Sequence, residues 1–371
     1  MAKHLALHRT CVPASCYEAH LRSVCRRAVT RVSMQTVACP RALLPRPRRP
    51  QALRHRTRAG VVTRASAEAV PAPLACPICL RLFSLGAQSG RLCCSFCRRD
   101  FPARDFADLT LLAGSDGAYS EGPRPTSTSL FQNPLISFAY ERGWRASFAW
   151  AGFPGEQVEY DQAQKWLTGA TGGVLLDVSC GSGLFTRRFA NSGAYGHVIA
   201  ADYSEAMLRE AMALAAAQRT EPGASPVTLV RADVARLPFA TGSIDAVHAG
   251  AALHCWPSPS AALAEISRVL RPGGVFVAST FLDPTAPLGE LVGDDTVLPL
   301  ARALGATRSA SYRWWNEREL RDLTSLCAPL LVVDACLHSH LCYFVACRVG
   351  LVDFERERTR QFILLRAVKP A

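Results

Sequence analysis

Acidic residues are nearly missing from the start of this chain. The first 66 residues hold one, Glu18, against 14 lysines and arginines, whereas the remainder holds 29 acids against 28 bases. The formal charge of +12 therefore belongs to the leader. The body has no basic excess from which binding to a phosphate backbone would follow. Long apolar runs are missing as well. None reaches the roughly 20 residues of a spanning helix, and the nearest, 329–347, is broken by Asp334, His338 and His340. A third absence is a single glycine. The turn after Asp177 carries Gly181 and Gly183 but has Thr186 where a dinucleotide fingerprint, G-x-G-x-x-G, requires glycine. No Gly-Lys-Ser/Thr follows it, which excludes a P-loop.

The leader itself is Arg-rich, with Ser, Thr and Ala interspersed and no continuous apolar segment of the secretory kind. That composition predicts an organellar transit peptide over 1–65, chloroplast ahead of mitochondrion, ending near the VVTRAS sequence at 61–66. A basic arm touching RNA or anionic lipid is the alternative.

Cysteine is abundant, at 15 residues, and five of them lie between 76 and 97. Cys76-Pro-Ile-Cys79 and Cys94-Ser-Phe-Cys97 form two CxxC knuckles with 14 residues between them. Such spacing can set four thiolates around a structural Zn2+, stabilising a segment too small for a core of its own. Cys93 is a neighbour that could exchange with a ligand. A redox pair would need only one CxxC beside a βαβ unit, and none is there. The expected organisation is a zinc-binding segment at 66–112, a Gly/Ser/Thr/Pro-rich linker at 113–129, and an α/β domain at 130–371. That domain opens on a helix over 135–148, with Ile136, Tyr140 and Trp144 on one face. It would cap the core, cover a ligand pocket, or both.

The stretch 174–183, VLLDVSCGSG, organises the domain. A buried-strand run ends in Asp177, a glycine turn follows, and then a helical pattern: one half of a doubly wound sheet. Further strands are expected over 197–201, 227–230, 244–248 and 275–279. Asp202 and Asp233 follow the second and third, at tips where a doubly wound fold presents groups to a nucleoside. Simple turn capping is the plain alternative for both acids. Ser204 suits the N-cap of the next helix, and Ser258 with Pro259 suits the start of a later one. The sequence LRPGG, 270–274, reads as a tight turn into the fifth strand. Asp245 is expected to be structural and His248 to be satisfied within its strand.

The order D-x-x-x-G-x-G, strand-end acid, Asp after the third strand and LRPGG resembles class I S-adenosylmethionine-dependent methyltransferases over about 130–280, and more weakly to the end. The resemblance implies a Rossmann-like, doubly wound, seven-stranded methyltransferase sheet carrying a small N-terminal zinc-knuckle segment. It also implies site roles. Asp177, Gly181 and Gly183 would shape the turn under the methionine moiety, with Ser179 and Cys180 giving backbone contacts only. Asp202, with Tyr203 beside it, would bind the ribose hydroxyls, and Met207 would lie near the adenine. Asp233 would accept from the adenine amino group beside Val234, and Ala249 and Gly250 would approach the sulfonium. A sulfonium is already an activated donor, so transfer needs alignment more than a metal. His254, in the loop after strand four, is the candidate base, or else lines the wall or packs in the core.

At a finer level YERGWR, DVSCGSG, LVRADVARLPF and HAGAALHCWPSP resemble uncharacterised plant and algal chloroplast methyltransferases. The core is similar to quinone C-methyltransferases, and knuckle plus domain resembles a bacterial ribosomal-RNA guanine methyltransferase. The first similarity implies a small lipophilic plastid acceptor of the prenylquinone kind, with peripheral contact to plastid lipid droplets or membranes. The second implies an RNA base, guided by Arg81, Arg91, Arg98 and Arg99 with Phe83, Phe96 and Phe101 around the knuckle. Asp100 and Asp105 weigh against it. A binding protein that keeps only the cofactor pocket is a third reading. The tail is expected to form a helix over 314–327 and a final strand over 360–368. Residues 328–348 look like extra material compared with the family, either an insertion or translated intron.

Overall fold

A computed structural model describes residues 73–83, 90–114, 149, 151–218, 221–293, 296–297, 299, 303, 313–325, 327–330, 345–348 and 350–371. The leader, the helix expected over 135–148, nearly all of the 113–129 linker and residues 331–344 lie outside that set.

The cysteine segment folds as a small hairpin that joins the main sheet. β1 (Arg91–Cys93) pairs antiparallel with β2 (Asp100–Pro102), and β3 (Ala107–Asp108) pairs parallel with the sheet edge. Then follow α1 (Glu156–Trp166), β4 (Val174–Val178), α2 (Leu184–Asn191), β5 (His197–Asp202), α3 (Glu205–Ala217), β6 (Val227–Arg231) and β7 (Ile244–Ala249). The chain continues through α4 (Pro259–Val269), β8 (Leu270–Phe281), α5 (Ala286–Val292) and α6 (Glu317–Ser325). β9 (Cys327–Leu330), β10 (Val345–Arg348), β11 (Val352–Thr359) and β12 (Phe362–Val368) close it.

The main sheet runs in the order β11-β12-β8-β7-β4-β5-β6-β3. All pairs from β8 to β3 are parallel, and β12 and β11 are antiparallel. Strand order reverses between β4 and β7, which is where an open α/β sheet parts its loops into a crevice. The four expected parallel strands before LRPGG form where the apolar runs place them. The sheet has eight strands rather than the seven implied, because β3 adds an edge. Two residues are too short a run to carry a readable period. The edge is held by Arg231 Nη1 on Asp108 Oδ2 at 2.9 Å and by Leu109 N donating to Arg231 O.

The knuckle segment shares the domain's core. Leu74, Phe83, Leu92, Phe101 and Leu109 are buried in one cluster with Val230, Leu237 and Phe239. Burial of side chains of this size contributes about 1.5–3 kcal/mol each. That apolar burial fixes the segment to the domain.

Two local expectations change. LRPGG is not a separate turn: it is the start of β8, with Leu270 opposite Ile244 and the register shifting before Ala246. The bulge puts Gly273 at φ +74°, and β12 pairs antiparallel along β8 from Val275 to Phe281, which extends the strand past Ser279. The tail helix starts at Glu317 because Asn316 caps it: Asn316 Oδ1 accepts from Glu319 N, and Glu319 Oε2 accepts from Asn316 N. This reciprocal box fixes the entry and leaves Trp314 and Trp315 outside the helix. The final strand is one arm of a hairpin with β11. Within 328–348, β9 pairs antiparallel with β10. Asp245 is structural as expected: its Oδ2 accepts from Val174 N at 2.7 Å, and Arg271 donates to its other oxygen.

Candidate active site

β4 is a parallel strand buried along Leu175–Val178, and its sharp exit is made by three left-handed residues, Ser179, Gly181 and Gly183. At Gly183, φ is +79° and a Cβ would lie 3.1 Å from Ala211 Cβ of α3, so glycine lets α2 start close against its neighbour. Asp177 does not face the crevice. It is 1% exposed; its Oδ2 accepts from Thr186 Oγ1 at 2.5 Å, and its Oδ1 lies 2.8 Å from His248 Nδ1. The acid thus ties β4 to α2 and β7 beneath the turn. His248 is satisfied by that carboxylate rather than by its own strand. Its Nε2 has no hydrogen-bond partner among the described residues, and its ring lies against Phe185 and Phe189.

A cleft of about 800 Å3, solvent at its mouth included, opens over the ends of β4, β5, β6 and β7. Ser179, Gly181, Asp202, Tyr203, Met207, Asp233, Val234 and Gly250 line it. Eight of the candidate residues therefore meet in one place, although they span 72 positions of sequence from 179 to 250. Asp177, Cys180, Gly183 and Ala249 support the lining from behind. Cys180 N donates to Ala201 O, and burial pushes the Cys180 thiol well above its usual range. Ala249 is fully buried at the end of β7.

Asp202 accepts from two backbone donors, Gly181 N at 2.8 Å on Oδ2 and Ser204 N at 2.7 Å on Oδ1. Burial raises its pKa to about 6, although those donors pull the other way. Each carboxylate oxygen keeps a lone pair for another donor. Asp233 Oδ1 accepts from Ala235 N at 2.9 Å. Both acids therefore cap turns, as the plain alternative has it, and both also line the cleft. Ser204 caps α3 as expected, its Oγ accepting from Met207 N at 3.2 Å.

Other parts of the site were not foreseen. Trp256 Nε1 donates to Ser179 Oγ at 2.9 Å, tying the loop after β7 to the glycine turn. Ala251 is left-handed, at φ +51°, and its N–H donates to Ser279 Oγ at 2.6 Å. Ser279 in turn donates to Glu159 Oε1 on α1, a carboxylate 1% exposed. Cys255, Ala252 and Pro257 complete the wall, and burial lifts the Cys255 thiol to about 12. The only sequence signal for these ties was the loop's position after the fourth strand.

His254 is not among the residues lining the cleft. Its Nδ1 is 3.3 Å from Thr280 Oγ1, its ring packs edge-on against Phe281, and burial lowers its pKa to about 4. The imidazole is neutral at pH 7 but a weak base, set back from the cleft lining.

The four knuckle sulfurs, Cys76, Cys79, Cys94 and Cys97, lie within 4.8 Å of one another. Cys76 Sγ is 3.5 Å from Cys97 Sγ, and Cys79 Sγ is 3.6 Å from Cys94 Sγ. Four sulfurs at the Zn–S length of about 2.3 Å stand roughly 3.8 Å apart in a tetrahedron, so the set fits zinc. The two turns match: Leu80 N donates to Cys76 O and Arg98 N to Cys94 O, with Leu80 and Arg98 both at φ +59°. Cys93 is exposed and outside the group.

The implied donor fits this cleft. At Gly250 a Cβ would meet His248 Cε1 at 3.0 Å and Phe185 at 3.3 Å, so the floor under the loop has no room for a side chain. A carboxylate stands at the tip of β5, and the pocket beside it is walled by Met207, Ala232 and Val234.

Comparison with known proteins agrees. A family model described as a methyltransferase domain matches residues 176–278. Two uncharacterised chloroplastic methyltransferases of Arabidopsis thaliana are similar along most of the chain. One is 44% identical over 312 residues, 80% of this chain and 79% of the relative. The other is 41% identical over 308 residues, 80% and 78%. A 2-phytyl-1,4-naphtoquinone methyltransferase of Nostoc punctiforme is 30% identical over 168 residues, 44% of this chain and 72% of the relative. With these findings beside the crevice at the sheet's reversal point, the chain belongs to the class I S-adenosylmethionine-dependent methyltransferases.

Proposed function

We propose that this methyltransferase acts in the chloroplast on a small, lipophilic acceptor of the prenylquinone kind. The observation that carries the reading is the composition of the cleft wall. Beside Asp202, Asp233, Ser179, Ser204, Tyr203 and two glycines, its lining is Val178, Met207, Ala232, Val234, Ala251, Ala252, Cys255, Trp256 and Pro257, with no lysine or arginine among the described lining residues. An RNA acceptor would call for cations along its phosphates. The quinone methyltransferase named above supports the same class, as the acid-poor leader and the two Arabidopsis relatives support the compartment.

Bound S-adenosylmethionine supplies an activated methyl group on a sulfonium. The chain's own residues bind, orient and exclude water. Asp202 would take the ribose hydroxyls, with Tyr203 beside it. Met207 and Val234 would flank the adenine, and Asp233 would accept from its amino group. Gly181 would let backbone come close to the methionine portion, and Gly250 would lie near the sulfonium, its missing side chain letting the loop sit on His248 and Phe185 while Ser279 and Glu159 hold Ala251. Cys76, Cys79, Cys94 and Cys97 would hold one structural zinc, whose four thiolates leave no position open for chemistry.

Presentation of the acceptor at a plastid lipid droplet or membrane surface fits this chemistry. No helix among the described residues is long and apolar enough to cross a membrane, whereas α5 leaves Leu288, Leu291 and Val292 more than half exposed. The test supplies labelled S-adenosylmethionine to the purified chain with plastid lipid extract and plastid RNA in parallel. Label in the organic extract is the expected result. Label in RNA alone would replace this acceptor class with the RNA reading.

A further inference from the structure

The two residues inside the first CxxC, Pro77 and Ile78, turn their carbonyls toward the methyltransferase domain. Arg236 takes both: its Nε donates to Pro77 O at 2.7 Å and its Nη2 to Ile78 O at 2.9 Å. A guanidinium is a rigid planar fork, so it fits two carbonyls held side by side and fits poorly once they separate. Those carbonyls are side by side because Cys76 and Cys79 wrap one centre, the turn being closed by Leu80 N on Cys76 O.

At its other end Arg236 closes the turn that builds one wall of the cleft. Arg236 N donates to Asp233 O at 2.9 Å, and Ala235 N donates to Asp233 Oδ1. Asp233 and Val234 of this turn line the cleft. The connection is reinforced next door, where Ala75 N donates to Pro238 O, Ala240 N to Pro73 O, and Leu74 pairs with Phe239. These neighbouring bonds hold the segment 238–240 and do not touch 233–236. Arg236 is thus a polar link from the knuckle's interior to the Asp233 turn.

We propose that Arg236 couples the cysteine knuckle to the donor cleft, so that metal held by Cys76, Cys79, Cys94 and Cys97 strengthens donor binding by fixing the turn that carries Asp233 and Val234. The inference rests on the donor and zinc readings above and goes beyond them, because a structural zinc need have no influence on a cleft. Without the metal the four sulfurs lose their common centre, the Pro77 and Ile78 carbonyls lose their shared direction, and the Asp233 turn loses one of its tethers. Asp202, Ser179 and Trp256 are held by bonds that do not pass through the knuckle, so the cleft weakens on one side rather than collapsing. Arg236 is a positioning residue. It acts through Asp233 and Val234.

The test is a cycle on the full chain, with S-adenosylhomocysteine as probe. Metal content is measured by mass spectrometry and affinity by calorimetry, for wild type and Arg236→Ala, each before and after chelation. The expected result is one zinc in both proteins as purified. Arg236→Ala should bind the probe about tenfold more weakly than wild type, the scale of losing hydrogen bonds from a charged donor. Chelation should weaken wild type by a similar factor and leave Arg236→Ala nearly unchanged. Arg236→Lys, which keeps the charge but not the fork, should fall between. Hydrogen exchange at amides 233–236 should quicken on chelation in wild type. Equal weakening of both proteins by chelation, or wild-type affinity in Arg236→Ala, would overturn the coupling. Wild-type protein that is purified without zinc and binds the probe at an affinity chelation does not change would refute the zinc reading and the coupling with it. Metal-loaded protein that binds no probe would instead refute the donor reading.

Discussion

Replacing Asp202 by asparagine separates the carboxylate's charge from its shape. The carboxylate already accepts from Gly181 N and Ser204 N. An amide has one accepting oxygen, so its NH2 would face one of those N–H groups. It would also offer the donor's ribose no anionic acceptor. Hydrogen bonds to charged groups are worth about 1.5–3 kcal/mol each, so losing the equivalent of one predicts roughly 10- to 150-fold weaker S-adenosylhomocysteine binding. The pH dependence is the sharper test. Burial puts the Asp202 pKa near 6, and hydroxyl donors prefer the ionised form. Wild-type affinity should therefore be steady above pH 7 and fall below pH 6, losing about tenfold for the next unit of acid. The Asp202→Asn protein should show no such fall. The same raised pKa has the opposite sign for folding without ligand. Asp202's contribution to stability is fully present below its ordinary value of 3.8 and is lost as pH rises through about 6. Calorimetric titrations between pH 5 and 8 read the affinity. A wild-type curve that stays flat across that range would refute the assignment of Asp202 as the ionised ribose partner.

Two further substitutions probe the unforeseen ties. Ser279→Ala deletes the hydroxyl between Glu159 and Ala251 N, leaving the buried carboxylate one donor short and the amide without that acceptor; about 1–3 kcal/mol should be lost in urea denaturation. An unchanged midpoint would show that the relay carries no energy. Trp256→Phe keeps most of the ring and removes the bond to Ser179, so stability should drop by about 0.5–1.5 kcal/mol while donor affinity falls several-fold. Unaltered donor affinity in that variant would separate the tie from the cleft.

The parts of the fold that were legible in the sequence are those with local causes. VLLDV followed by Gly181 and Gly183 reads as strand and turn because apolar runs and left-handed glycines act over a few residues. Asp202 and Asp233 follow because a strand's end fixes where its next residue points. Ser204 and Pro259 stand at helix starts for equally local reasons. The ties made across the chain were hidden. Ser179 and Trp256 are 77 positions apart, and Glu159 and Ser279 are 120 apart. No periodicity links such pairs. β3 is too short to have a pattern, and nothing local marks Arg236 as the partner of Pro77 and Ile78, 159 and 158 positions away. His254 takes its core alternative: its imidazole turns toward Thr280 and Phe281 and is not among the residues lining the cleft.

The central claim is that the donor lies over the ends of β4 to β7 with its ribose on Asp202 and its adenine beside Asp233 and Val234. A crystal structure of the chain with S-adenosylhomocysteine measures this directly. The account predicts both ribose hydroxyls within hydrogen-bond distance of the Asp202 carboxylate, and the adenine amino group on Asp233 Oδ1 or Oδ2. Ligand bound with no contact to Asp202, or seated outside the cleft, would contradict it.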